Sequence, residues 1–303
     1  MRSDIEFLGL ATTGVPGRWT FEVVERLVRL DGRLYGGAAI AVSVATAEAL
    51  TGGTALWMTT QFVSTVEQGA VLEVHTELLA GGRRTSQVRV TGTAADGSVV
   101  FASVGATGRH RPGGLTGTFE RRPSVTPPAA STRWTSPLSG LVRSGALDHS
   151  AIEGFTRGFA GVLEIAEPEV LEHPEPGPGR FCLWARRRDR EPLSATTIAY
   201  LADVVPLGVA RGLGVLAGGT SLDNTIRFGP AVPTGWVLLD VRPHLAVGGY
   251  GHGLAHVWSP GGELLATASQ TASMVVFDPS HLAALAGGGP ATGEEPARRP
   301  PPG

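Results

Sequence analysis

The chain has 303 residues, 42% of them apolar, with 25 basic side chains against 27 acidic ones. That is enough apolar matter for two domain-sized units, and the near balance of charge removes the electrostatic case for a nucleic-acid or acidic-membrane partner. A single cysteine, Cys182, excludes an intramolecular disulfide and argues against a cysteine-based metal site; its surroundings, RFCLWA, read as a buried strand.

The opening MRSDIEFLGL carries Asp4 and Glu6 and no long apolar stretch, so no secretory signal is expected. No run of about twenty uncharged apolar residues follows, so no membrane span is expected and the chain reads as soluble and cytoplasmic. Residues 19–30, WTFEVVERLVRL, alternate and end at the turn signal Asp31-Gly32, which predicts an opening strand. Residues 36–50 are rich in alanine, lack proline and are apolar on nearly every face. Such a helix is buried, here cradled by a sheet. Three or four strands follow to about residue 107, with hairpin signals at Gly81-Gly82 and Asp96-Gly97.

Residues 109–135 are rich in proline, glycine and charge and read as a linker; 167–180, EPEVLEHPEPGPGR, reads as a proline-rich loop. A second helix is predicted over about 194–212, with Pro206 marking a kink or a new helical turn. Strands are predicted over about 221–277. The segment after Asp278, ending GEEPARRPPPG, is too poor in apolar residues to fold alone and is expected to be disordered. The expected domain plan is therefore 1–108, a linker at 109–135, a second domain at 136–278 and a tail at 279–303.

These elements repeat. Helix then strands occurs twice, and landmarks line up at a nearly constant offset: Phe62 with Phe228, Gly82 with Gly249, Gly97 with Gly262. Identity between the copies is low, so it is a pattern that repeats. The order of elements predicts an α+β class in which the two sheets pair edge to edge, removing two exposed edges.

Polar residues present in only one copy are the site candidates. Met58 in the first copy corresponds to Asn224 in the second, Ala55 to Ser221, and Gly105 to Gln270. The second helix holds Asp203 inside the apolar run IAYLADVVPL; the first helix has no aspartate. Each has a plainer reading. Asp203 could cap a helix starting near Val204, Ser221 could be an ordinary residue at a strand start, Gln270 a solvated edge-strand residue, and Asn224 an amide satisfied by backbone. Strict alternation also places Ser221 on the face opposite Asn224, so convergence requires an irregular strand start.

The residues resemble a known family, the acyl-CoA thioesterase II (TesB-like) proteins. LYGGAAIAVSVATAEA is similar to that family's first helix start, YLAD to an element of its second helix, TSLDNTIRF to a strand that follows, and LLATASQTASMV to its last strand. The resemblance spans roughly residues 20–278. It implies a double hotdog, two long helices each wrapped by an antiparallel sheet and fused in tandem. It also implies acyl-CoA hydrolysis with no cofactor and no metal, and further association into a homo-oligomer. The family's Asp, Ser or Thr, and Gln fall on Asp203, Ser221 and Gln270, the residues the copy comparison raised. The family's histidine after the strand aspartate is Asn224 here, and the glutamate after the glutamine is Thr271.

Thioester hydrolysis needs a held water, a proton acceptor and oxyanion donors. No GxSxG elbow is present, which argues against a serine acyl-enzyme. Asp203 is the expected base, with Ser221 and Gln270 holding the water and Asn224 beside the substrate. Gly36-Gly37, at the start of the first helix, could admit the substrate to backbone N–H groups or serve tight packing. The arginines at 82–84 and 186–190 read as solvated loops or as contacts to the phosphates of coenzyme A. Two rivals stand beside this reading. A hydratase or dehydratase would need an Asp and His on one helix-loop segment, which neither copy has. A non-catalytic acyl-CoA or lipid-binding module draws weight from the changes at Asn224 and Thr271. The histidines show no helical i, i+4 pair, so a metal enzyme is not expected.

Overall fold

The protein is described from a computed structural model covering residues 2–109, 111, 113–133 and 158–277. Its helices are α1 (Arg2–Leu8), α2 (Gly36–Thr51), α3 (Gly158–Gly161), α4 (Ala195–Leu201) and α5 (Val205–Leu213). The strands of the first half are β1 (Ala11–Thr12), β2 (Arg18–Glu22), β3 (Thr54–Phe62), β4 (Val71–Gly81), β5 (Thr85–Thr93) and β6 (Val99–Gly108). Then come β7 (Ser124–Val125), β8 (Thr132–Arg133), β9 (Leu163–Glu167), β10 (Val170–Glu172) and β11 (Phe181–Arg187). The last four are β12 (Ala217–Phe228), β13 (Val237–Val247), β14 (Tyr250–Trp258) and β15 (Leu264–Val276).

The all-round apolar character of 36–50 has the expected consequence. Every residue of α2 from Gly37 to Ala47 is buried, and the helix packs on β3, β4, β5 and β6 and against α4. It stops at Gly52, whose φ of 64° lets its N–H reach back to Glu48 O.

Thirteen strands form one antiparallel sheet in the order β1-β2-β4-β5-β6-β3-β12-β15-β14-β13-β11-β9-β8. From the β3–β12 junction outward, the first half runs β3, β6, β5, β4, β2 and the second runs β12, β15, β14, β13, β11. The two are equivalent, so the repeat seen in the sequence becomes a local two-fold. At its centre Thr59 faces Thr225, 166 residues away, with their hydroxyl oxygens 3.0 Å apart. The expected edge-to-edge pairing is this junction, and it covers an edge in each half.

Two elements differ from the sequence-based expectation, and a third takes one of the two alternatives left open at Pro206. The opening strand ends at Glu22, and a short 3₁₀ turn follows over Glu25–Leu27. Val23, Leu27 and Val28 are all buried, at helical rather than alternating spacing, so the turn puts three apolar side chains inward where a strand would split them. The second helix is two helices, interrupted at residues 202–204. Pro206 has no N–H to give the carbonyl of Ala202, four residues back, so the helix cannot run through. Finally, the segment read as a linker is partly built into the second half. β7 pairs with β10, β8 pairs with β9, and Thr126 O accepts from Trp184 Nε1 at 2.8 Å. This covers the outer face of the sheet, where Ala166, Cys182, Trp184, Leu238 and Trp258 form a second apolar cluster. The tail beyond 277 lies outside the described residues. No described helix is long and apolar enough to cross a membrane.

The proline-rich loop is fastened to the same outer face by a buried ion pair. Asp240, on β13, accepts from Arg242 Nε and Nη2 at 3.0 and 2.8 Å and pairs with His173 Nε2 at 2.9 Å. Arg242 also reaches Glu175 at 3.1 Å. Breaking a buried pair from one side leaves the other charge uncompensated. Asp240→Ala is expected to lower stability by about 3 kcal/mol, read as a lower urea midpoint at unchanged slope; a loss within about 0.5 kcal/mol of wild type would show that Glu175 and Glu120 compensate Arg242 without Asp240. Cys182, buried beside this pair, has its thiol pushed up to about 12, chiefly by burial. It should not react with a thiol reagent at pH 8 until the protein unfolds; rapid native labelling would contradict this.

Candidate active site

Asp203 sits in the gap that Pro206 forces between α4 and α5. It does not cap α5: Val204 is the N-cap residue and makes no side-chain cap bond. Its carboxylate turns instead to the sheet. Ser221 Oγ donates to Asp203 Oδ1 at 2.9 Å, and Gln270 Nε2 donates both to Asp203 Oδ1 and, at 2.7 Å, to Ser221 Oγ. Three residues far apart in sequence therefore meet: one from the helix break, one from β12, one from β15.

The irregular strand start that this convergence requires is a β-bulge. Between Ser221 and Asp223 the pairing of β12 with β15 slips by one residue. The extra residue, Leu222, turns outward at 41% exposure, while Ser221 at 9% and Asn224 at 0% both turn inward. Gln270 lies directly across from Asn224, inside the sheet and 2% exposed, so it is not a solvated edge residue.

Asn224 is packed beneath the helix break. Its Nδ2 donates to Ala202 O at 3.3 Å, and its buried Oδ1 has no protein partner among the described residues. The assignment of Asn224 to substrate contact thus meets a side chain facing backbone. Gly36 and Gly37 stand at the N-terminus of α2 and press against Asp203. A β-carbon on Gly36 would lie 2.5 Å from Asp203 Oδ2 and 3.1 Å from Phe62 Cζ. Of the two roles considered from the sequence, Gly37 shows tight packing, and its backbone N–H turns to Asp203. Its N–H hydrogen-bonds the Asp203 carboxylate, and a β-carbon there would strike Tyr200 O and the Tyr35 ring.

Burial pushes the Asp203 carboxyl above the usual carboxylate range. The Ser221 hydroxyl, the Gly37 N–H, the Arg29 charge and the Gln270 amide pull the other way without cancelling it. Asp203 nevertheless keeps partial exposure. A carboxylate so placed is a better proton acceptor near neutral pH than a solvated one.

Two neighbours were not singled out in the sequence. Tyr35 donates to Asp203 O at 3.3 Å and stacks on Phe159 with ring centroids 4.0 Å apart. Arg29, whose charge acts on Asp203, pairs with Asp31 at 2.7 Å and reaches Thr220 Oγ1 at 3.3 Å. Tyr35 carried one faint signal, its place ahead of Gly36-Gly37; RLVRLDG around Arg29 carried none. The matching place in the first half holds no such cluster. Ala55 and Gly105 stand for Ser221 and Gln270, and Met58 packs against Gly105 where Asn224 would be.

One group of donors could in principle hold a metal ion: the ligand atoms of His173, Cys182 and Asp240 lie within 4.8 Å of one another. Its chemistry fits a hydrogen-bonded staple better. Asp240 is already bonded by His173 and by the Arg242 cation, and burial pushes the Cys182 thiol up. Of the arginines of 186–190, Arg188 and Arg190 are exposed, while Arg186 is paired with Glu164 at 2.6 Å and Arg187 is paired with Asp189 and lies over the Phe7 ring. Arg187 is buried rather than solvated. Arg83, Arg84 and Arg109 line a groove of 220 Å³ with Thr51 and Gly53. That groove is at the C-terminal end of α2, about 24 Å along the helix from Gly36 at 1.5 Å per residue.

Two family models match in tandem: the acyl-CoA thioesterase N-terminal domain over residues 28–109 and the acyl-CoA thioesterase C-terminal domain over 138–274. No curated protein matches the chain. Among solved structures, a candidate thioesterase from Novosphingobium aromaticivorans is 31% identical, with a TM-score of 0.73 over 88% of this chain and 98% of that one. A hotdog-fold protein of unknown function from Alicyclobacillus acidocaldarius is 21% identical, with a TM-score of 0.72 over 92% of this chain and 99% of that one. A tesB protein from Mycobacterium avium subs paratuberculosis is 18% identical, with a TM-score of 0.68 over 91% and 99%. These last two share the fold, and the family models add the chemistry: the chain has a hotdog fold, belongs to the acyl-CoA thioesterase family, and is a thioester hydrolase.

Proposed function

We propose that the chain hydrolyses acyl-CoA to the free acid and coenzyme A, with Asp203 as general base toward a water held by Ser221 and Gln270. The observation that carries this reading is the meeting of the three side chains at one point beside the N-terminus of α2. Asp203 takes a proton as the water oxygen bonds the thioester carbonyl carbon. The oxyanion so formed is met by the N-terminal end of α2, whose partial positive charge suits a developing negative charge. Collapse of the tetrahedral adduct breaks the carbon–sulfur bond, and the proton held by Asp203 goes to the leaving thiolate. Ser221 and Gln270 act by orienting the water and the carboxylate.

The same reading takes the chain as a tandem double hotdog, α2 cradled by β3–β6 and the α4–α5 segment by β12–β15. It takes the domains as 1–108 and 136–278, joined by 109–135, part of which packs on the second. Its support is the equivalence of strand order on either side of Thr59 and Thr225. Further association into a homo-oligomer goes with it.

The test is thiol release from a panel of acyl-CoA chain lengths. Asp203→Asn should lower kcat/KM by 10³-fold or so, within the range for losing a general base; a variant as fast as wild type excludes Asp203 as the base. Asp203 must be ionised to act, so kcat/KM should rise with pH through its raised pKa and level off above it. An acidic limb at the value of a solvated carboxylate would refute the assignment. Gly36→Ala tests the placement of the α2 N-terminus. The added methyl meets the Asp203 carboxylate, a side chain pinned by Ser221 and Gln270, so kcat should fall about 100-fold with the fold intact. Unchanged kcat would mean the carboxylate is free to move.

A further inference from the structure

Pro206 leaves two backbone groups at the helix break to be satisfied by something else. The carbonyl of Ala202 has lost its helical donor, and the N–H of Val205 opens α5 with no side-chain cap. Each is taken by a side chain from the sheet below. Asn224 Nδ2 donates to Ala202 O at 3.3 Å, and Gln270 Oε1 accepts from Val205 N at 3.2 Å. Asn224 and Gln270 are direct cross-strand partners on β12 and β15. One amide therefore holds the residue before Asp203 and the other the second residue after it.

We propose that Asn224 is a positioning residue of the hydrolytic site, acting through the Ala202 carbonyl to fix the break in which Asp203 sits. The proposal rests on the reading of Asp203 as the base. Asn224 touches no reacting atom; it is 0% exposed and faces backbone. Its counterpart in the first half, Met58, lies beneath α2, which runs unbroken. The amide is thus present where the helix is broken and absent where it is whole.

Other groups also face Asp203. Arg29 and Tyr35 come from the segment ahead of α2; α2 itself offers only the Gly37 N–H, and β12 and β15 only Ser221 and Gln270. Asp223 spends Oδ1 on the Thr271 N–H. Loosening the break would draw the carboxylate off the donors that favour its charged form, and its proton affinity would rise.

The measurement is the pH dependence of kcat/KM for acyl-CoA hydrolysis by wild type, Asn224→Ala and Asn224→Asp, with Asp203→Asn as reference. Asn224→Ala should lower kcat at least 10-fold, change KM less than about 3-fold, and move the acidic limb to higher pH. Asn224→Asp loses the donor to Ala202 O and adds a second buried carboxyl, so its limb should move further. Partial unfolding lowers the rate in proportion to the folded fraction, so each rate is divided by the folded fraction measured at the same pH before the limb is read. Should the alanine variant not fold, Asn224→Ser takes its place. Limbs that coincide with wild type would overturn the positioning role while leaving Asp203 as the base. If Asp203→Asn is itself fully active, the reading of Asp203 as the base fails first, and this inference fails with it.

Discussion

A carboxylate set into an apolar helical segment is the constraint on which the rest of this site depends. An unbroken helix would carry Asp203 round with its neighbours on a face buried among Ile198, Ala199, Tyr200, Leu201 and Val205. Pro206 prevents that by interrupting the ladder four residues back, at Ala202. The interruption frees Asp203 to face β12 and β15, and it exposes backbone groups that must find partners inside the protein. Those partners are Asn224 and Gln270. The same glutamine binds the backbone through its oxygen and the Asp203–Ser221 pair through its nitrogen. Helix break, bulged strand and amide pair are therefore parts of one arrangement.

The two-fold at Thr59 and Thr225 shows what is shared and what is particular. Strand order, junction and cradled helix are common to both halves. In the first half the space under the helix is filled by Met58 and by buried hydroxyls that satisfy one another, Ser103 bonding both Ser43 at 2.9 Å and Thr60 at 2.8 Å. That half instead contributes the N-terminus of α2, with Gly36 and Gly37, to the site. Both halves meet at this point: acid and amides come from one, a helix end from the other.

Much of this was legible in the sequence. All-round apolarity fixed α2 as buried, and the repeat pointed to equivalent halves and a sheet-to-sheet junction. Residues present in one copy only, Asp203, Ser221 and Gln270, were brought together by side-chain hydrogen bonds. What was not legible had physical reasons. A bulge is one extra residue, and TSLDNTIRF reads as well without it as with it. Pro206 allowed either a kink or a restart, and the choice depends on whether the freed Ala202 carbonyl has a partner, which is a tertiary fact. Val23, Leu27 and Val28 overlap a strand pattern and a turn pattern in a window too short to separate them. The covering of Trp184 and Trp258 by the supposed linker followed from contacts far apart in sequence.

The placement of Asp203 costs stability, and the direction follows from linkage. Its folded pKa lies above its unfolded value, so between the two the native state holds a proton that the unfolded chain has released. Stability therefore falls as pH rises through that window, and above it the whole cost is present. Ser221, Gly37, Arg29 and Gln270 offset part of the cost, since each favours the charged form. Stronger or more numerous donors would stabilise the fold and at the same time weaken the carboxylate as a base. Weaker ones would raise its proton affinity further. The donors on Asp203 thus act in opposite senses on stability and on basicity, and under the proposed mechanism both bear on its use as a base.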